Sequence, residues 1–227
     1  MNGDILVQLD GVSRSYGDTE AVRDVSFAIR QGEVLGFLGP NGAGKTTTMQ
    51  ILTGNLAPTR GRVTIAGHDL LESPRAAKRA IGYLPETPPL YRDLTVDEYL
   101  DYCAALHGIA RAARRAAGAA AKERCGLSDT GRRLIGNLSK GYQQRVGLAQ
   151  AVIHLPPVIV LDEPTAGLDP IQIREIRHLI RELGREHGVI LSTHILPEVQ
   201  ATCDRVQIIH RGVLVLDDDI AGLARRM

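Results

Sequence analysis

Short apolar runs alternate with longer stretches of helix-period polarity along this chain, and that alternation predicts a mixed α/β protein. In the first third, residues 4–10, 22–29, 33–38 and 62–66 are apolar or alternating runs parted by glycine-bearing turns, and they read as strands. Val34-Leu35-Gly36-Phe37-Leu38 has no polar position, as expected of a strand covered on both faces. Residues 74–80 predict a short helix, with Ser73 at its N-cap and Pro74 at the first helical position, and Ile81-Gly82-Tyr83-Leu84 a strand closed by Pro85. The middle third changes character. Thr95-Val96-Asp97-Glu98 spells a capping box for a helix reaching about His107, and the Ala/Arg-rich stretch 110–124 predicts a second helix interrupted only by Gly118. Beyond it, a helix is expected from Ser139 to about His154 and a strand over 157–161. Asp169-Pro170 opens a helix ending near His187, with Gly188 just past its end. Val189-Ile190-Leu191, Val206-Gln207-Ile208-Ile209 and Val213-Leu214-Val215-Leu216 complete the strands. There is no internal repeat. The expected division is an α/β core with a β subdomain, residues 1–86 and 138–227, and a helical lobe inserted at 87–137.

Between the Val34 strand and the next helical run lies Gly39-Pro40-Asn41-Gly42-Ala43-Gly44-Lys45-Thr46, which fits G-x-x-x-x-G-K-[ST]. Glycines let successive backbone N–H groups curl around phosphate oxygens without Cβ clashes, and the following helix aims its positive dipole end at the same oxygens. Lys45 is expected to reach the β/γ-phosphates and the Thr46 hydroxyl to ligate Mg²⁺; Thr47 is the next residue on the helix. Strand, glycine loop and helix stand in the order this motif requires. Val158-Ile159-Val160-Leu161 then ends in Asp162-Glu163, a buried strand that delivers two carboxylates at its C-terminal end. Asp162 suits a Mg²⁺ ligand, directly or through water, and Glu163 a group that polarises an attacking water.

Composition narrows the class. With 227 residues, 44% of them hydrophobic and 23% charged, the chain suffices for one sizeable α/β domain. A net charge of +1 implies no strong pull toward nucleic acid or anionic lipid. Arg111, Arg114, Arg115, Lys122 and Arg124 read as a solvated helix face; a nucleic-acid surface is the alternative, but no aromatics interleave for stacking. No apolar stretch approaches the ~18 residues that cross a bilayer, and Met1-Asn2-Gly3-Asp4 lacks the blocks of a signal peptide. Cys103, Cys125 and Cys203 read as reduced thiols of a cytosolic protein.

Leu138-Ser139-Lys140-Gly141-Tyr142-Gln143-Gln144-Arg145, just before the carboxylate strand, makes the resemblance specific. It resembles the LSGGQ signature of ABC ATPases, with Lys140 and Tyr142 substituted. Ordered around it stand Tyr16, similar to the family's adenine-stacking aromatic, the glycine loop as Walker A and residues 158–163 as Walker B. Ala166-Gly167-Leu168-Asp169 is similar to the D-loop, and Ser192-Thr193-His194 to the switch histidine. The run through Gln150 is similar to ATPase subunits of ABC-2-type exporters, including the gliding-motility-associated kind. The resemblance implies the ABC-ATPase form of the P-loop NTPase fold: a mostly parallel sheet core, an N-terminal antiparallel β subdomain and an inserted α-helical subdomain.

It further implies an ATP hydrolase using ATP and Mg²⁺. Glu163, His194 and Lys45 would be catalytic, and Thr46, Asp162 and Glu86 would hold the metal. The nucleotide would be held by Tyr16, residues 39–47, Ser139 and Gly141. Ser139 and Gly141 would contact the γ-phosphate of ATP held by a partner subunit, giving two nucleotides sandwiched in a head-to-tail homodimer or paired ATPase subunit. A membrane permease docking on residues 87–137 is the implied partner and no nucleic acid is expected. The implied location is cytoplasmic, peripheral on the inner face of the cell membrane. One departure stands out. The family's glutamine between core and lobe is missing, since no Gln lies between Gln50 and Gln143, and Glu86 occupies the corresponding segment. A carboxylate repels γ-phosphate, so Glu86 is expected to face the metal or a water. The competing readings are a non-transport ABC ATPase acting on DNA or the ribosome, and a nucleotide-binding module without turnover.

Overall fold

The computed structural model describes residues 4–226; the three residues before them, part of the run read above for a leader, lie outside it. In chain order the first elements are β1 (Ile5–Tyr16), β2 (Thr19–Arg30), β3 (Val34–Leu38), α1 (Lys45–Leu52), β4 (Arg60–Ile65), β5 (His68–Asp69), α2 (Pro74–Arg79) and β6 (Ile81–Leu84). Helices α3 (Val96–Leu106) and α4 (Arg111–Arg124) follow. Then come α5 (Lys140–Val152), β7 (Val158–Asp162), α6 (Pro170–Gly184), β8 (Gly188–Thr193), α7 (Leu196–Thr202), β9 (Arg205–His210), β10 (Val213–Asp219) and α8 (Ile220–Arg226). Among the described residues no helix is long and apolar enough to cross a membrane.

Two sheets organise these elements. One is antiparallel, ordered β2-β1-β4-β5; the other is ordered β10-β9-β3-β8-β7-β6 and is parallel except where β10 meets β9. This is the expected α/β class with its antiparallel β subdomain and helical insertion. The all-apolar strands make physical sense because the parallel sheet is covered on both faces. Leu35 and Phe37 of β3 and Val158 and Val160 of β7 face the core shared with the antiparallel sheet and α1. Val34, Leu38, Ile159 and Leu161 face the opposite core, built with α3, α5 and α6. Register then places the functional edge: Leu38 pairs with Thr193, Asp162 with Ser192 and Leu84 with Leu161, so β3, β8, β7 and β6 finish side by side. Phe37 is fully buried, its ring 5.9 Å from that of Phe27. Phe37→Ala should therefore cost about 3–5 kcal/mol of stability in urea unfolding. A loss below about 1 kcal/mol would mean that this core does not clamp the two sheets together.

Several boundaries differ from the pattern, each for a local reason. β1 and β2 run to twelve residues apiece, longer than the 4–10 and 22–29 read from alternation. Gly11, at φ +57°, sits where the β1 register shifts, and the polar residues beyond it are held by tertiary bonds such as Asp24 N–H to Ser13 Oγ at 2.9 Å. α6 stops at Gly184, short of His187, and Gly188 is the first residue of β8, paired with Val158. His187 instead leaves the helix to bond its Nδ1 to the Pro156 carbonyl at 2.6 Å. Ser73 stands at the N-cap of α2 but makes no capping hydrogen bond. Gly118 does not interrupt α4, which runs straight through it and lies against Leu100 of α3. The capping box of α3 forms in full: Thr95 N–H donates to Glu98 Oε2 at 2.8 Å, and Glu98 N–H to Thr95 Oγ1 at 3.3 Å. α7 answers to no sequence expectation; at seven residues it is too short for a helical period to register.

Candidate functional site: a cleft at the carboxyl edge of the parallel sheet

The loop after β3 cannot be built without its glycines. A Cβ on Gly39 would lie 2.5 Å from the Ile209 carbonyl oxygen. Gly44 adopts φ +108°, and a Cβ there would lie 2.7 Å from the Ala21 carbonyl oxygen. Backbone bonds pin the loop to its surroundings, Gly39 N–H to Thr193 O at 3.3 Å and Gly212 N–H to Ala43 O at 2.9 Å. Gly44 is the N-cap of α1, so Lys45 begins the helix. Its side chain is almost buried; Nζ donates to Gly39 O at 2.8 Å and Pro40 O at 3.3 Å, and lies 3.6 Å from Glu163 Oε1. Asn41, Gly42, Gly44, Lys45, Thr46 and Thr47 line a cleft of about 380 Å³ together with Ala21, Glu86, Glu163, Ala166 and His194. Gly39, Pro40 and Ala43 complete the loop without lining the cleft, joined by Ala43 N–H to Pro40 O at 3.2 Å.

The parallel register sets the carboxylates opposite this loop. Asp162 closes β7 and is 3% exposed, and its Oδ1 is buried with no hydrogen-bond partner. Burial pushes its carboxyl above the usual carboxylate range; Glu163 and Glu86 act the same way, while the neighbouring Ser192 hydroxyl and Lys45 pull it down. The unpartnered Asp162 oxygen and the carboxylates near it are of the hard-ligand type that suits a divalent cation, although among the described residues no three His, Cys, Asp or Glu side chains gather to hold one by themselves, and a glycine-rich loop across the cleft suits a nucleotide. Glu163 holds φ +48°, a strained conformation for a non-glycine residue, with its N–H bonded to Ser192 O at 2.9 Å. That bend turns its carboxylate toward His194, whose Nδ1 lies 3.1 and 3.0 Å from Glu163 Oε1 and Oε2. With a carboxylate opposite, Nδ1 is the ring nitrogen that carries the hydrogen and donates.

Not every expected residue converges here. Glu86 does, as an exposed side chain at the cleft mouth. Tyr16 lies at the end of β1, half exposed, with the Arg14 guanidinium 4.9 Å from its ring centre, and does not line the cleft. Ser139 is the N-cap of α5, its Oγ accepting from Tyr142 N–H at a long 3.5 Å. Gly141 lines a separate hollow with Tyr142, Arg145, Asp169 and Gln172, and a Cβ on it would lie 2.6 Å from Gln172 Cδ. Ser139 and Gly141 therefore stand apart, within one chain, from the loop of residues 39–47. Ala21 was missed by sequence reasoning, and Ala166 entered it only as part of the run similar to the D-loop. Ala21 lies on β2, outside every motif, and an alanine carries no chemical signal.

Comparison with known proteins places the chain among relatives. Residues 22–166 match the family model for ABC transporters. The ABC transporter ATP-binding protein NatA of Bacillus subtilis is 42% identical over 217 residues, 92% of this chain and 88% of that protein. The bacitracin transport ATP-binding protein BcrA of Bacillus licheniformis is 37% identical over 223 residues, 97% of this chain and 72% of that protein. Among solved structures, cbiO1 from Clostridium perfringens, described as part of the ABC transporter complex cbiONQ, superposes with a TM-score of 0.88 at 28% identity, over 98% of this chain and 91% of that one.

Proposed function

The chain belongs to the ABC transporter family as an ATP-binding, ATP-hydrolysing subunit, and on that premise we propose that it binds MgATP in the sheet-edge cleft and works as a pair of copies driving transport through a separate permease. The observation that carries the reading is that Glu163 and His194 line one cleft with the Lys45 loop, at the sheet edge where Asp162 ends β7. Lys45 and the loop N–H groups would neutralise charge on the β/γ-phosphates, and Tyr16, on the hairpin that also carries Ala21, would stack on adenine. Glu163 would orient the water that attacks the γ-phosphorus, releasing ADP and phosphate, and His194 would hold the Glu163 carboxylate and reach the γ-phosphate. Thr46, Asp162 and Glu86 would hold Mg²⁺, which when bound supplies charge for the polyphosphate to lean on. Ser139 and Gly141, remote from the loop within one chain, would grip the nucleotide of a second copy through the N-terminus of α5.

cbiO1 is part of a larger transporter complex, and a companion permease is the partner proposed here. Residues 87–137 would receive it; Tyr91, Tyr102, Leu106 and Leu134 there are large apolar side chains left exposed, the kind of surface a partner covers. That would place the subunit in the cytoplasm, peripheral on the inner face of the cell membrane. Outward transport is the direction supported by the similarity of the signature run to ABC-2-type exporters. Purified chain should release phosphate from ATP, and EDTA should lower the rate at least about hundredfold. Turnover indifferent to EDTA would refute the assignment of Thr46, Asp162 and Glu86 to a metal.

A further inference from the structure

Glu198 of α7 is 1% exposed, and none of the roles above uses it. Its Oε1 accepts from Thr165 Oγ1 at 2.7 Å, and its Oε2 from Thr193 Oγ1 at 3.0 Å. Arg177 of α6 brings a guanidinium nitrogen to 3.8 Å from Oε1. Both threonines are buried, at 5% and 0% exposure. The Thr193 hydroxyl also accepts from Ile195 N–H at 3.2 Å, which leaves its own hydrogen for Glu198. The carboxylate thus ties together α6, the end of β8 and the turn after β7 in a nearly dry setting, with apolar Val199 next to it in sequence and fully buried. A buried carboxylate is costly unless paired and hydrogen-bonded, so a site that an aliphatic residue could fill is held by a group that fixes geometry instead.

What it fixes is adjacent to the chemistry. Thr165 lies two residues after Glu163, in the turn closed by Ala166 N–H to Glu163 O at 3.0 Å. Thr193 immediately precedes His194. We infer that Glu198 is a positioning residue for ATP hydrolysis: by bridging Thr165 and Thr193 it locks the turn bearing Glu163 to the strand end bearing His194, and so keeps the Glu163–His194 pair at hydrogen-bond distance. Glu198 touches no reacting atom; it acts through the two segments. The inference rests on the reading of the cleft as the hydrolytic site.

The test uses near-isosteric threonine variants of the whole chain. Thr165→Val removes the donated hydrogen bond at almost constant volume, and Thr165→Ser retains it. Because a small misplacement of a catalytic pair is costly, Thr165→Val should lower kcat about tenfold, with the KM for ATP within about twofold of wild type. Thr165→Ser should return kcat to within about twofold of wild type. Glu198→Gln should lower kcat likewise, and the pair Glu198→Gln with Thr165→Val should be no slower than Glu198→Gln alone, the mark of a shared network. If Glu198→Gln fails to fold, Thr165→Val and Thr193→Val decide. A folded Thr165→Val with kcat within twofold of wild type would overturn the inference. So would a serine variant no faster than the valine one, or KM rising as much as kcat falls. A wild-type chain that binds no ATP would refute the cleft reading itself, and this inference with it.

Discussion

Glu163→Gln is expected to cut ATP turnover by about 10²–10³-fold, a loss of about 2.7–4.1 kcal/mol of transition-state stabilisation. The substitution is nearly isosteric, and a glutamine carbonyl still accepts from His194 Nδ1, so the geometry read at 3.0–3.1 Å should persist. Only the basicity toward water is lost. Binding should not weaken. The Lys45 loop is untouched, and removing a carboxylate from a cleft that receives polyphosphate relieves like-charge repulsion. The variant should therefore hold ATP without consuming it, and in saturating MgATP it should sediment as a dimer. Turnover within about threefold of wild type would remove Glu163 from the chemistry. A monomer under those conditions would refute the proposed sandwich and the role it assigns to Ser139 and Gly141.

Lys45→Ala should fail earlier in the cycle, at binding. Lys45 is the cation that the fold has buried at the bottom of the loop, held by the Gly39 and Pro40 carbonyls and 3.6 Å from Glu163. Charge-assisted hydrogen bonds contribute about 1.5–3 kcal/mol each, so its removal should weaken ATP binding by roughly 10²-fold in calorimetry. Lys45→Arg should not restore it, because a planar guanidinium does not fit where a compact ammonium sits between two loop carbonyls. Thermal unfolding separates this from misfolding. Glu163, 12% exposed at its side chain, keeps its His194 contact, so the melting temperature should move only a few degrees. An alanine variant that binds ATP within about threefold of wild type would show that the cleft is not the nucleotide site.

The two variants would divide the proposed site into a binding half and a hydrolytic half, and the sequence made these halves unequally legible. The binding half is a contiguous stretch whose spelling carries its own geometry: Gly39 and Gly44 stand where a side chain would strike the Ile209 and Ala21 carbonyls. Asp162 and Glu163 were legible because an uninterrupted apolar run ending in two acids leaves few alternatives for where the acids emerge. Glu198 was invisible for the opposite reason. Its partners lie at Thr165 in the turn after β7, Arg177 on α6 and Thr193 on β8, and nothing in the spacing of residues 196–202 marks a glutamate there as buried. Tyr16's place at adenine, and the partner-nucleotide role of Ser139 and Gly141, were legible only by resemblance, and none of the three lines the cleft of the Lys45 loop.

From the order of residues alone came whatever depends on neighbours along the chain: the glycine loop between strand and helix, the Thr95 box, the apolar parallel strands, and hence the α/β class and the phosphate chemistry. Local sterics and hydrogen bonding within a few residues suffice for those. What only the folded chain decided is what depends on register between distant strands. Parallel pairing of β3, β8 and β7 sets Glu163 against His194 and Lys45, positions that no spacing along the sequence specifies. The strained Glu163 at φ +48° and the burial of Glu198 are likewise set by packing, because contact between remote segments is a property of the packed whole.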